Sequence, residues 1–365
     1  MDVFEPETPI GEIGERALIR HLRSRIPGGP GIVVGVGDDS AVLETGALTL
    51  VTTDSLVESV HFLREWTPPR LVGRKVLTVN LSDIAAMAGA PRHATVSLCL
   101  PADTPLSFVD GLYDGLLERA AETGVSIVGG NLSATNGPIV IDVTLLGHGD
   151  RILRRAGAVP GDLAVVTGTL GAAAQGLRLL RRGARLNADG GLDSTGVWTE
   201  SSAGAVLHCL RAQLDPNPPL AFARTLSEHD VAHAGIDISD GLSGDLLAIC
   251  DESEVAAWVD AAKVPVDPHA AGLERARGAG DALGLALHGG EDYQMLLAVP
   301  PERLDALRDL AVIWDLPLAV VGEFTPGPPS VSLKSGETLS PLAPESHEHF
   351  RTRRRSGGGE AAQGA

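Results

Sequence analysis

Apolar residues recur along the chain with the spacing of helices in some segments and of strands in others. The longest helical pattern is predicted over residues 69–88, because Leu77, Leu81 and Ile84 fall on one face. Other helices are predicted over 8–26, 106–123, 171–182, 202–211, 219–228, 241–252 and 301–311. Strands are predicted over 33–36, 47–53, 94–100, 125–128, 139–147, 163–167, 235–238 and 318–322, with a hairpin at 326–344. This mixture predicts an α+β protein.

The length and the order of these elements predict two domains. A chain of 365 residues exceeds the usual size of about 100–200 residues for one domain. We place an N-terminal domain at 1–150 and a C-terminal domain at 151–345, joined through a connector at 151–161. Residues 346–365 form a C-terminal segment. From residue 351 onward it lacks apolar residues and is expected to be disordered.

Composition argues against nucleic-acid and membrane partners. The net charge is −18, aromatic residues make up only 3% of the chain, and the only dense basic run is at 351–355. Nucleic-acid-binding proteins usually show a basic surface and aromatic stacking positions. No apolar run approaches the length of about 18 residues that a membrane span needs. Three widely spaced cysteines without a Cys-x-x-Cys pattern fit free thiols in a reducing compartment, so we expect a cytoplasmic protein.

Acidic residues recur in segments rich in glycine, serine and threonine, with almost no Lys or Arg beside them. These segments read Gly37-Asp38-Asp39, Thr52-Thr53-Asp54, Asn80-Leu81-Ser82-Asp83, Asp237-Ile238-Ser239-Asp240-Gly241 and Gly289-Gly290-Glu291-Asp292-Tyr293. Neighbouring side chains diverge, so only one of Asp38 and Asp39 is expected to face a shared site. Oxygen ligands of this kind suit Mg²⁺, which is often shared with substrate phosphates. The pattern therefore predicts an enzyme that handles a nucleoside triphosphate through several magnesium ions.

Taken singly, these acidic residues also have ordinary structural explanations. Asp83 needs a cation or hydrogen-bond donors if it is buried in its apolar helix, but a solvent-facing position would need neither. Asp54 follows two threonines at the predicted end of a strand, and an Asx turn explains it equally well. An N-cap for the helix over 241–252 explains Asp240 but leaves Asp237 unexplained.

Three weaker features suggest phosphate contacts. Gly129-Gly130-Asn131 is predicted to be a turn whose amides face a ligand, the helix start at Ser239 attracts anions, and Arg155 is a candidate phosphate clamp. The chain contains no P-loop pattern and no dinucleotide-binding glycine pattern after a strand. His61 lies in a polar stretch, and a lone histidine is more often structural than catalytic.

The ordered set of motifs resembles one family, the thiamine-monophosphate kinases of the aminoimidazole-ribonucleotide synthetase-like superfamily. The resemblance spans about residue 10 to residue 350 and rests on the segments 35–43, 52–57, 61–62, 79–87, 236–242 and 289–293. It implies a two-domain α+β fold, with an N-terminal mixed sheet that pairs in a homodimer and a C-terminal α+β sandwich. It also implies transfer of the ATP γ-phosphoryl group to thiamine monophosphate, which gives thiamine diphosphate and ADP.

The same resemblance assigns roles to individual residues. Several Mg²⁺ ions would be held by Asp39, Thr52, Thr53, Asp54, Asp83, Asn131, Asp237 and Asp240. ATP, the co-substrate, would contact Gly130, Asn131, Arg155 and Ser239. Thiamine monophosphate would contact His61, Glu291 and His347.

Two of these positions depart from the family pattern. Asn131 stands where the family often has Asp, so one metal contact would lose its charge. His347 stands where the family often has an aromatic residue two positions before a His-Phe pair. A histidine can still stack on a flat ring, though less broadly.

The resemblance implies direct in-line transfer without a covalent enzyme intermediate. The acceptor is already a phosphate monoester, so its oxygen is largely deprotonated near neutral pH and needs no strong general base. The obstacle is repulsion between two anions, which metal ions relieve in phosphoryl-transfer sites. Two alternatives stay open: another ATP-dependent reaction of the superfamily, such as a ribonucleotide cyclo-ligase, and a non-catalytic nucleotide- or metal-binding protein.

Overall fold

The computed structural model describes residues 32–34, 38–44, 48–187, 190–193, 198–278 and 280–345. The helix predicted over 8–26, the tail from residue 351 and His347 lie outside these described residues. None of the helices in the described part of the chain is both long and apolar enough to cross a membrane.

The N-terminal part forms a six-stranded mixed sheet in the order β1-β2-β3-β6-β4-β5. Its strands are β1 (Ile32–Val34), β2 (Ala41–Glu44), β3 (Leu48–Val57), β4 (Ala90–Leu100), β5 (Ser126–Ala134) and β6 (Val140–His148). The β4–β5 pair is parallel and the other pairs are antiparallel. Ile141, Val143 and Leu145 of β6 are fully buried, whereas the residues between them point to the other face. One face of this sheet therefore forms a core.

Two helices cover the buried face of this sheet, namely α1 (Pro69–Ala86) and α2 (Leu106–Thr123). Helix α1 is buried along almost its whole length because it lies between two sheets. Its residues Val76, Leu77 and Leu81 pack on the first sheet, and Ala85 packs on the second. A helix buried on all sides holds its polar residues in fixed contacts, which matters for the site below.

The C-terminal part forms a seven-stranded sheet in the order β13-β12-β9-β11-β7-β10-β8. Its strands are β7 (Leu163–Thr167), β8 (Ala234–Ile238), β9 (Ala256–Asp260), β10 (Gln294–Val299), β11 (Leu318–Thr325), β12 (Ser330–Ser335) and β13 (Thr338–Pro341). Only the β12–β9 pair is parallel.

Several helices of the C-terminal part pack on the two faces of this second sheet, and others form a separate core with one another. They are α3 (Ala172–Arg181), α4 (Ala203–Leu214), α5 (Leu220–Leu226), α6 (Leu242–Ser253), α7 (Pro268–Ala276), α8 (Ala282–His288) and α9 (Leu304–Ile313), with 3₁₀ turns at Glu200–Ser202 and Pro301–Arg303. Strand β10 shows the arrangement. Leu296 packs toward α6, whereas Met295 and Leu297 pack toward α5 and α9. These two cores explain why the strand reads as a continuous apolar run.

The two-sheet α+β architecture confirms the predicted fold class. The helices predicted over 69–88 and 106–123 are present, and the region 326–344 contains the predicted hairpin as β12 and β13. Strands β2 and β9 and helix α7 were not predicted, and the segments that form α8 and β10 were not assigned as helix or strand. The predicted connector at 151–161 overlaps the segment between β6 and β7. The domain bounds themselves stay predictions.

Two predictions of local structure are wrong. Strand β3 does not end before Asp54 but continues to Val57, because it pairs with β6 over its full length. Gly129-Gly130-Asn131 is not a turn but the middle of β5. A Cβ atom on Gly130 would lie 1.9 Å from the backbone oxygen of Val96, so glycine permits the close approach of the two strands.

Candidate active site

Three acidic side chains from distant parts of the sequence meet between the two sheets. Asp39 precedes β2, Asp83 lies near the end of α1, and Asp237 is in β8. One carboxylate oxygen from each lies within 4.8 Å of the others. The burial of α1 between the sheets brings Asp83 to this point, so the convergence follows directly from the fold.

Each carboxyl group of this cluster has one defined hydrogen-bond donor. The hydroxyl of Thr52 donates to Asp83, the hydroxyl of Ser82 donates to Asp237 at 2.6 Å, and the guanidinium of Arg155 donates to Asp39. The second oxygen of Asp39 is buried and has no hydrogen-bond partner. Converging carboxylate oxygens, one of them unpartnered, fit the ligand preference of a hard divalent cation such as Mg²⁺.

The cluster disfavours its own negative charge. Burial, and then the charge of Asp39, raise the pKa of Asp237 to about 8. Burial also raises the pKa of Asp83 well above its ordinary value, with further contributions from Asp54 and Asp237. The pKa of Asp54 is raised by burial, although a hydrogen bond with Asp83 opposes the rise. Such a site takes up protons unless cations replace them.

Two residues predicted to join this metal site lie elsewhere. Thr52 and Asp54 point toward α1, but Thr53 points to the opposite face of β3, since side chains alternate along a strand. There its hydroxyl lies 3.3 Å from a carboxylate oxygen of Asp142. Asn131 lies on the edge strand β5, where its amide donates to Ser133 at 3.0 Å. The structure does not bring Thr53 and Asn131 to the cluster, and their role as ligands stays a prediction.

The turn after β8 is held by an acidic residue that the sequence analysis missed. Asp245, in the first turn of α6, accepts hydrogen bonds from the backbone amides of Asp240 at 3.2 Å and Gly241 at 3.0 Å. The N-cap of α6 is Gly241, which has a φ of 121°, and no side chain caps the helix there. The alternative in which Asp240 caps this helix is therefore not what the structure shows, because Asp245 accepts from these backbone amides instead.

The Gly-Gly-Glu-Asp-Tyr segment packs directly on this turn. The amide of Glu291 donates to the backbone oxygen of Ser239 at 2.7 Å, and the amide of Tyr293 donates to that of Ile238 at 2.8 Å. A Cβ atom on Gly290 would lie 2.6 Å from the oxygen of Ser239. The predicted ATP contact Ser239 and the predicted substrate contact Glu291 thus belong to one rigid unit.

Side chains of the same segment extend this unit. The Asp292 carboxylate accepts from the amides of Gly171 at 2.7 Å and Ala173 at 3.2 Å, which anchors the start of α3. The Glu291 carboxylate lies 2.6 Å from the ammonium of Lys75. The other predicted substrate contact, His61, accepts a hydrogen bond from the amide of Val57 at 3.0 Å through Nδ1, which fixes its ring beside the end of β3.

The predicted ATP contacts Gly130 and Asn131 border a cleft of about 320 Å³ beside β5. Apolar side chains and the ring of Tyr113 line the rest of it.

Comparison with known proteins decides what this site belongs to. Residues 37–148 match the family described as AIR synthase related protein, N-terminal domain, and residues 159–334 match its C-terminal domain counterpart. The thiamine-monophosphate kinase of Escherichia coli (strain K12) is 32% identical over 348 residues, which cover 93% of this chain and 99% of that protein. A solved structure of AaThiL complexed with AMPPCP and TMP has a TM-score of 0.80 and 30% identity, covering 95% of this chain and 100% of that one.

This chain belongs to the thiamine-monophosphate kinase family. Similarity extends more weakly to other proteins of the same fold. E. coli HypE, a hydrogenase maturation protein, is 18% identical with a TM-score of 0.61, covering 90% of this chain and 97% of that one. At that identity the likeness shows the fold alone.

Several residues that contact the predicted site residues were not singled out from the sequence. Ser82 and Lys75 are seven residues apart, so helical periodicity alone places them on one face of α1. Asp245 could have been noticed, because it is an acidic residue near the start of the helix predicted over 241–252, where acidic side chains are favoured. Gln213, by contrast, contacts Glu291 through tertiary packing, and no local pattern marks it.

Proposed function

We propose that this protein transfers the γ-phosphoryl group of ATP to thiamine monophosphate and forms thiamine diphosphate and ADP. The convergence of Asp39, Asp83 and Asp237 beside the Ser239 turn carries the proposal, because it unites an oxygen-rich cation site with backbone amides that suit phosphates. Membership of the thiamine-monophosphate kinase family supports the identity of the acceptor.

Mg²⁺ would be held by the clustered carboxylates and by their neighbours Thr52 and Asp54. Asp240, Thr53 and Asn131 are proposed as further ligands at the edges of the site. Bound cations would neutralise the charge on the two phosphate groups that must approach each other. The partnerless oxygen of Asp39 supports this assignment, since a buried carboxylate oxygen is costly without a partner.

The remaining site residues are proposed to bind and orient the two substrates. Arg155 would contact ATP phosphates, because its guanidinium already lies at the cluster through Asp39. Ser239 would contact ATP from the C-terminal sheet, and Gly130 with Asn131 from the N-terminal sheet. Glu291, His61 and His347 would contact thiamine monophosphate.

The chemistry required of the protein is mainly alignment. The acceptor oxygen belongs to a phosphate monoester, which is largely ionised near neutral pH, so the chain need not supply a strong base. We propose direct in-line transfer, with the Ser239 turn and the Glu291 segment holding donor and acceptor in a fixed relation. The backbone hydrogen bonds between the Ser239 turn and the Glu291 segment support this alignment role, since small errors in the placement of two reactants greatly reduce the rate.

We further propose a cytoplasmic homodimer that pairs through the N-terminal sheets. The edge strand β5 supports the pairing, because its apolar residues Val128 and Leu132 are 59% and 71% exposed. Sedimentation of the purified protein at several concentrations tests it, and a monomer at all concentrations would contradict it.

One assay tests the proposed reaction. ADP release is measured with ATP and Mg²⁺ in the presence of thiamine monophosphate, of other phosphorylated acceptors, and of no acceptor. We expect ADP only with thiamine monophosphate, together with an equal amount of thiamine diphosphate. ADP release with a ribonucleotide acceptor alone would indicate a different enzyme, and no acceptor-dependent release would indicate a binding protein.

A further inference from the structure

A buried lysine contacts the acidic residue that is proposed to bind the substrate. Lys75, in α1, has a side chain that is only 3% exposed, and its Nζ lies 2.6 Å from Oε1 of Glu291. The same Nζ donates to the backbone oxygen of Gln213 at 2.9 Å. Burial of an ammonium group is costly unless it is paired, so this contact is specific rather than incidental.

Gln213, in α4, holds the other oxygen of the same carboxylate. Its side-chain amide donates to Oε2 of Glu291. An ionised carboxylate offers about four lone-pair sites, so these two bonds leave about two for a ligand. The Glu291 side chain is 27% exposed, so part of it is accessible to a ligand.

The backbone of Glu291 is also in an unusual conformation. Its φ is 68°, in the left-handed region that a residue with a Cβ atom adopts at a cost of about 1 kcal/mol or more. Strain of this kind persists where surrounding contacts fix the residue, and it is frequent at ligand-binding positions. Lys75 and Gln213 provide those contacts at the side chain.

We propose that Lys75 and Gln213 are positioning residues that fix the Glu291 carboxylate for recognition of thiamine monophosphate. This inference rests on the proposed function, because it takes Glu291 as a substrate contact. Without Lys75 and Gln213, the carboxylate is free to rotate and to hydrate, and each productive binding event must order it again. The loss then falls on thiamine monophosphate binding and not on ATP binding.

A neighbouring residue on the same helix provides a matched control. Arg74 also ties α1 to the end of α4, through a 2.8 Å bond to Asp215, and it pairs with Glu122 of α2. It is nearly as buried as Lys75 but makes no contact with Glu291. Arg74→Met therefore removes a buried cation that links the same elements, without touching the positioning contact.

The test compares KM for thiamine monophosphate, KM for ATP and melting temperature in Lys75→Met, Gln213→Leu and Arg74→Met. We expect Lys75→Met and Gln213→Leu to raise KM for thiamine monophosphate by about tenfold or more, the usual effect of losing a hydrogen bond to a charged group. Their KM for ATP should stay within about twofold, and Arg74→Met should change melting temperature but neither KM. Equal KM values for thiamine monophosphate in Lys75→Met and Arg74→Met would overturn the proposal.

A double-mutant cycle with Glu291→Gln shows whether Lys75 acts through Glu291. If it does, adding Lys75→Met to Glu291→Gln changes KM for thiamine monophosphate by no more than about twofold. A full, additive effect in that background would contradict a positioning role. Should Lys75→Met fail to fold, Gln213→Leu carries the same cycle. A wild-type protein that forms no thiamine diphosphate would refute the proposed function itself, before any variant is compared.

Discussion

Replacing Asp83 by asparagine should stabilise the metal-free protein while it abolishes most activity. Asparagine keeps an oxygen that can accept the hydrogen bond from Thr52, so the shape of the site is retained. The charge next to Asp39 and Asp237 is lost. Stability of the metal-free protein should therefore rise while activity falls. This combination is expected of a carboxylate that binds a cation and not of one that stabilises the fold.

The magnitude follows from two competing costs. Burial is the largest cost of an ionised Asp83, and a single ionised neighbour within 4.8 Å adds at least about 3.5 kcal/mol of repulsion at an effective dielectric constant of about 20. Keeping a proton at pH 7 on a carboxyl whose ordinary pKa is 3.8 costs only about 4 kcal/mol. Protonation is the cheaper state, which sets an upper limit of about 4 kcal/mol on the gain from Asp83→Asn. Because Asp54 shares a hydrogen bond with Asp83 that the substitution also changes, we expect a gain in stability of about half this limit.

Thermal unfolding with and without Mg²⁺ measures this effect. In EDTA at pH 7, a gain of about 2 kcal/mol should raise the melting temperature of Asp83→Asn by about 3 °C, and by more at pH 8. Mg²⁺ should stabilise the wild type but hardly the variant, and turnover should fall by about a hundredfold or more. As a control, Asp162→Asn removes a buried carboxylate paired with His233, so it should destabilise the protein equally with and without Mg²⁺. Destabilisation of Asp83→Asn in EDTA, or near-normal activity, would refute the reasoning.

Three further substitutions test other parts of the site. Gly130→Ala should destabilise the protein by about 1–3 kcal/mol because its Cβ meets a backbone oxygen at 1.9 Å, whereas Gly129→Ala, with its nearest neighbour at 4.0 Å, should unfold like the wild type in urea. Arg155→Met should raise KM for ATP by about tenfold, because it removes the guanidinium that contacts Asp39; an unchanged KM in steady-state assays would contradict the ATP role. Burial raises the pKa of Asp292 from 3.8 to about 7, so the folded state binds the extra proton and stability falls as pH rises through that window. Asp292→Asn should flatten this dependence in urea titrations at pH 4–7, and an unaltered slope would exclude Asp292 as its source.

The acidic segments are recognisable in the sequence because each is defined by the types of residue that stand next to one another. An aspartate beside threonine or serine, in a segment without lysine or arginine, is a candidate cation ligand before the fold is known. Helical periodicity also placed Asp83 on a real helix. The family resemblance then ordered these segments into one site, and the fold confirms that Asp39, Asp83 and Asp237 meet.

The errors arose where sheet pairing decides the outcome. Thr52 and Thr53 look equivalent in sequence, but alternation along β3 sends them to opposite faces, and only pairing with β6 shows that the strand extends past them. Gly129 and Gly130 read as a turn by composition, yet a parallel neighbour makes them strand. Gln213 could not be found at all, since it lies 78 residues from Glu291 in the sequence and contacts it only through tertiary packing.

The most direct test of the central claim is a crystal structure grown with Mn²⁺, a nonhydrolysable ATP analogue and thiamine monophosphate. Anomalous scattering from manganese would locate the cations independently of any assumption about the site. We expect peaks bound to Asp39, Asp83 and Asp237, next to the phosphates of both ligands. Manganese found only elsewhere, with these three carboxylates bonded to protein groups alone, would contradict the account.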